Sequence, residues 1–241
     1  MTRESRNPAN DDTLTGCFKE VLRKFLQNTD DMLPGMVQDY DRTTNLARVQ
    51  PLIQIVDTAN QTHNRAPVAN IPVLLLGGGS FFISFNLPAG SLGWIKANDR
   101  DISLFLQGFV NNRPNTERMH NFSDAVFIPD IMTGYTIDSD DADAMVIQNL
   151  DGTVKIALSE TAIDMVAPAV NVTTTGNTTF QVSGEFILNG NMRLRGNILE
   201  AGNILTQGNL LNNGVNVGST HTHTQPPDSA GDTEADTGPP K

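Results

Sequence analysis

The chain has 241 residues, with 27 acidic and 16 basic side chains and a formal net charge of −11. That balance excludes a protein that wraps nucleic acid, which needs clustered Lys and Arg, and the length suits one large β domain or two modest ones. Aromatic residues are scarce and Gly is plentiful, favouring turns and strands over a helical bundle, and the lone cysteine, Cys17, rules out an intrachain disulfide.

Residues 1–12 are polar and contain no apolar run, so no secretory signal is expected and the chain is expected to be made in a cytoplasm. No window approaches the roughly 18 apolar residues of a membrane span. In residues 16–27, Phe18, Val21, Leu22, Phe25 and Leu26 recur at helical spacing, with Lys19, Arg23 and Lys24 opposite. This predicts a short amphipathic helix that packs on a core or a partner, with Thr15 as its N-cap and Cys17 as a half-buried thiol. From residue 32, "GMVQDYD" and "LARVQPLIQIVD" alternate around a "DRTTN" turn, the pattern of a hairpin. Three further strands are predicted near 72–76, 81–86 and 92–97, and a last strand or turn through 102–109. Five or so short antiparallel strands in about 90 residues suggest a small closed barrel.

Several motifs carry no chemistry. Gly77, Gly78, Gly79 and Ser80 lack the lysine and following helix of a phosphate loop, so they read as a turn between strands. His63 and His120 each stand alone as surface histidines. The acidic run "DSDDADA" at 138–144 lacks the glycine and terminal Glu of a calcium loop and reads as a solvated linker. No Ser–His–Asp or Cys–His arrangement is present, and no enzyme is expected.

The C-terminal half is repetitive. Gly184, Gly190, Gly196, Gly202, Gly208 and Gly214 stand six residues apart, and two residues beyond them come Phe186, Met192, Ile198, Ile204, Leu210 and Asn216. Beneath this period, even-numbered positions from Val166 to Ile204 are mostly apolar or small and odd-numbered ones mostly polar, an alternation of about 40 residues where ordinary strands end after about 10. The chain is therefore expected to wind as short strands with a corner every six residues. A single-chain left-handed β-helix wants an aliphatic residue before each small one, whereas Ser183, Asn189, Arg195, Ala201, Gln207 and Asn213 precede these glycines. The remaining solution is a triple-stranded β-helix, in which three chains bury one another's apolar row and a single chain does not fold alone. Each large side chain buried there contributes about 1.5–3 kcal/mol.

Three stretches together resemble the central spike proteins of contractile-tailed bacteriophages, the membrane-piercing baseplate spikes. They are "PVLLLGGGSFFISFNLPAGSLGWIKANDRDI" at 72–102, "NLDGTVKIAL" at 149–158 and "HTHT" at 221–224. The resemblance spans nearly the whole chain; one departure is Ser91 after Gly90, where an acidic residue is common. It implies an all-β homotrimer. Residues 1–30 would form an N-terminal segment with a short helix, 31–121 an oligosaccharide/oligonucleotide-binding (OB) barrel collar, 122–218 an intertwined triple-stranded β-helix shaft, and 219–241 a small apex. It further implies a virion protein at the tail tip, joined to the baseplate hub protein. Sheath contraction would drive it mechanically through the outer membrane of a Gram-negative host, with no nucleic acid, no small-molecule substrate and no catalytic residue. A trimeric receptor-binding tail fibre or adhesin is the alternative, and a hexapeptide-repeat acyltransferase a third. An adhesin tip favours aromatic residues, and none follows Gly218.

His221 and His223 complete the reading. In an extended chain their rings project to one side, and three copies assemble six imidazole nitrogens. That donor set suits one octahedral transition metal per trimer rather than four-coordinate zinc, and the family resemblance makes the ion iron (Fe2+). Pro226 and Pro227 are expected to stop the strand and the acidic remainder to fold back around the tip.

Overall fold

The computed structural model describes residues 13–27, 29–57, 59–218, 221–225, 227, 229–231 and 235–238. It is mostly β and divides into two compact units, 1–172 and 173–241. The expected polar N-terminus, 1–12, lies outside the described residues, as does Pro226.

Helix α1 spans Leu14–Gln27. It starts earlier than predicted because Thr13, not Thr15, caps it: the Gly16 N–H donates to Thr13 Oγ1 at 3.0 Å. Every member of its apolar face, Phe18, Val21, Leu22, Phe25 and Leu26, is exposed, and so is Cys17, against the expected half-burial. Among the described residues no helix is long and apolar enough to cross a membrane.

Strands β1 (Met32–Asp41) and β2 (Leu46–Pro51) form the predicted hairpin. Its turn is closed by Asp41, which accepts the Thr43 N–H at 2.8 Å and the Thr44 hydroxyl at 2.9 Å. A small hairpin of β3 (Ile55–Val56) and β4 (Thr62–His63) follows, then β5 (Val68–Pro72). Strands β6 (Leu76–Gly78) and β7 (Phe81–Ile83) flank Gly79 and Ser80, so the glycine run is a hairpin turn, as read from the sequence. Next comes β8 (Leu92–Asn98). Before it, Ser91 closes the turn, its hydroxyl donating to Pro88 O at 2.7 Å. The predicted last strand or turn at 102–109 is instead helix α2 (Ser103–Gly108), and β9 (Asn121–Pro129) completes the sheet.

The five-stranded sheet has the order β5-β2-β1-β8-β9. Its edges approach each other: Val73 bridges Phe127, and the Leu74 N–H donates to Phe127 O at 2.8 Å. The result is a nearly closed barrel whose last strand begins at residue 121 and pairs with β8 from Gly93 to Asn98. Alternate residues point inward, and Val37, Val49, Ile71, Ile95, Ala125 and Phe127 form the fully enclosed core. Gly35 and Gly93 face each other across β1 and β8. A Cβ on Gly93 would stand 2.4 Å from Ile128 O and 2.5 Å from the Phe127 ring; one on Gly35 would meet Ile95 and Val49 at 2.7 Å. The glycine pair is the space into which the central aromatic ring and its aliphatic neighbours pack.

Below α2, Asp101 is buried. It accepts the Ser103 N–H at 2.9 Å and the Thr116 hydroxyl at 2.6 Å, and Arg118 bridges it at 3.2 Å to buried Asp124 at 3.0 Å. Ser103, then Thr116, then the Arg118 guanidinium hold the Asp101 carboxyl well below the usual carboxylate range. Asp101 also explains the helix: its carboxylate anchors the first N–H of α2, which overrides the alternation of Ile102, Leu104 and Leu106.

After the barrel, a 3-10 turn at Ser139–Asp141 precedes β10 (Met145–Gln148), β11 (Lys155–Leu158) and β12 (Ile163–Val166), an antiparallel three-stranded sheet. The acidic run is not merely a solvated linker. Asp138 caps the turn, accepting the Asp140 N–H at 3.1 Å, and Asp141 is buried in an ion pair with Lys155.

Two outcomes follow. Gly93→Ala is expected to lower barrel stability by about 1–3 kcal/mol through overpacking, read by urea titration of Trp94, the only tryptophan. Because Asp101 titrates lower folded than unfolded, its stabilisation is present above about pH 4 and disappears as pH falls below that value. Asp101→Asn is therefore expected to be less stable near neutrality and to lose less stability on acidification, measured with the same probe.

Candidate metal-binding apex

The second unit begins with extended chain. Bends fall at 175–176, 183–184, 195–196, 201–202 and 207–208, with further bends at Gly190 and a turn at Asn213–Gly214, so the corners follow the six-residue glycine period. At the 183–184 corner the Phe180 and Phe186 rings approach to 5.8 Å. The even-numbered row is exposed along its length, Phe180, Met192 and Ile198 each by about 70%. Residues 173–208 make no backbone–backbone hydrogen bond to any described residue.

The extended run ends in a hairpin of β13 (Leu211–Asn212) and β14 (Val215–Asn216). Asn213 (φ +50°) and Gly214 (φ +82°) are both left-handed, the requirement of a tight two-residue hairpin turn. The Val217 N–H donates to Leu210 O at 2.7 Å, closing the hairpin base.

Beyond it, Gly218 turns the chain so that its carbonyl accepts the His221 N–H at 3.2 Å and lies 2.5 Å from His221 Nδ1. A carbonyl oxygen only accepts, so Nδ1 is the donor, and the neutral ring keeps its lone pair on Nε2. A backbone carbonyl orienting an imidazole through its other nitrogen is the usual support of a metal-ligating histidine. The His221 and His223 rings lie edge to face with centroids 5.0 Å apart, so the two side chains share a side. The return of the tail is visible at Thr237: its hydroxyl accepts the His223 N–H at 2.9 Å, and its own N–H donates to His223 O at 2.9 Å.

Among the described residues no group of three or more His, Cys, Asp and Glu converges within the chain. The pair thus supplies two nitrogen donors per chain. The other histidines have carboxylate partners rather than standing alone: His63 Nε2 is 2.8 Å from Asp57, and His120 Nε2 is 3.2 Å from Asp99. The Gly218 carbonyl and Thr237 were not legible in the sequence as parts of the apex, since a main-chain acceptor carries no residue signature and Thr237 lies 14 positions from His223.

None of the curated proteins matches the chain. Residues 33–130, covering the barrel and less than half of the chain, match the family described as the phage protein Gp138 N-terminal domain, and this match supports a phage structural protein of the virion.

Proposed function

We propose that the chain is the subunit of a trimeric tail-tip spike. In this reading the barrel, which runs through β9 to Pro129, is an OB-type collar on the baseplate hub, the repetitive residues 173–218 wind into a triple-stranded β-helix shaft, and the spike breaches the host outer membrane mechanically when the tail contracts. No catalytic step is involved.

The observation that carries the proposal is the state of residues 173–208. Extended backbone presents amide and carbonyl groups that require partners, and here none of the described residues provides a backbone partner. The same stretch exposes a continuous apolar row. A second and third copy with the same six-residue corners answer both needs together. Such a shaft resists compression because each layer is covalently continuous with the next and apolar at its axis. The match of residues 33–130 to a phage protein domain agrees with this reading.

The apex residues fit a metal by their chemistry. His221 and His223 share a side and His221 Nε2 is left as an acceptor, so three chains would offer six nitrogens to one transition ion, iron in this proposal. The ion would tie three chain ends at the point that meets the membrane.

Full-length protein is expected to sediment at three times the chain mass of 26.1 kDa and to hold about one transition metal ion per three chains by elemental analysis. His221→Ala combined with His223→Ala is expected to remain trimeric and lose the metal. A metal-free monomer would sink the whole reading, whereas a double variant that keeps its metal would sink the site alone.

A further inference from the structure

A shaft built from a strict repeat has a weakness that the repeat cannot cure. Sliding one chain by six residues places glycine on glycine and apolar side chain on apolar side chain, so neighbouring registers differ by only one unit of contact. The apex makes register matter: three His221–His223 pairs meet only if the chains are level. A non-repeating element must set the alignment.

The sheet of β10, β11 and β12 has the required character. Its register places Met145, Leu158 and Ile163 in one cross-strand row and Ile147, Ile156 and Met165 in the next, all on one face. Met145, Ile147, Ile163 and Met165 are each about 60–70% exposed. The opposite face carries Ala157 and Lys155, and is covered where Lys155 pairs with buried Asp141. The sheet thus has one side partly covered by its own chain, at Ala157 and Lys155, and one side, formed by six apolar residues, left open. Strands of four residues are marginal alone, and this face needs a cover.

The cover we infer is two further copies of this chain, so that three such faces pack about one axis and act as a register clamp for the shaft. Two observations select that occupant. Each chain carries a net charge of −11, so identical chains repel over most of their surface, and this face has no ionisable group. Val170, from the chain that follows β12, lines the same concavity of about 280 Å³ as Ile147, Ile156 and Met165, so the apolar surface extends past the sheet within the first unit. The inference rests on the trimeric reading and adds to it that alignment is set at Met145–Val166, before the repeat begins.

The test uses full-length chain with Cys17→Ser, leaving no other thiol, and single cysteines placed by Ile156→Cys on the apolar face or Asp164→Cys on the opposite one. In the trimer the thiol at 156 is expected to react with maleimide about tenfold or more slowly than that at 164. Equal rates in a trimeric protein would overturn the clamp and leave the spike reading standing; a monomeric parent would overturn both. Ile156→Asp provides the second arm. It is expected to abolish trimers, or to yield trimers with less than the parent's metal per chain, while the Trp94 unfolding midpoint of the barrel is unchanged. A variant that remains trimeric with full metal would refute the clamp.

Discussion

Unsatisfied main chain is the constraint on which the rest of this molecule depends. Residues 173–208 hold extended backbone with no backbone–backbone hydrogen bond among the described residues, and they expose an apolar row at the same time. Either feature alone has a cheap remedy, since water solvates an exposed amide and a helix or loop covers an exposed side chain. Together they ask for neighbours that are both extended and apolar on one side. Copies of the same chain have those properties by construction, which is why the proposed spike follows from the backbone as much as from the side chains.

The barrel obeys the opposite logic. It satisfies itself within one chain: its sheet edges meet at Val73 and Phe127, and the Gly35–Gly93 pair admits the ring of Phe127 into a core with no room for an added methyl group. A self-sufficient domain joined to a dependent one is a sensible order for assembly. In the proposed spike the barrel can fold alone, and the sheet at Met145–Val166 then gives three chains an uncharged place to meet before the repeat winds. In the proposed spike the same division would give the histidine pair its role, because two donors held by local turns would become a complete ligand set only when chain ends are level.

How far residues alone reached depended on whether the deciding interaction was local. Alternation around Asp41–Asn45 was sufficient for the first hairpin because the turn chemistry lies within five residues. Period two failed at 102–109: Ile102, Leu104 and Leu106 alternate like a strand, yet Asp101 anchors a helix start whose partners, Thr116 and Arg118, come from a later loop. The Thr13 cap displaced Thr15 by a choice between two chemically equivalent residues. Asp141 looked solvated until Lys155, 14 residues on, was folded against it.

By itself, then, the sequence determined the all-β character, the six-residue corners and the shared side of His221 and His223, because each follows from spacing along one chain. Only the tertiary structure decided which glycines make room for Phe127, which carbonyl orients His221, that Thr237 returns to His223, and that six apolar residues from three strands form one open face. Those facts depend on register and on contacts between residues distant in sequence, and neither is written in any local pattern.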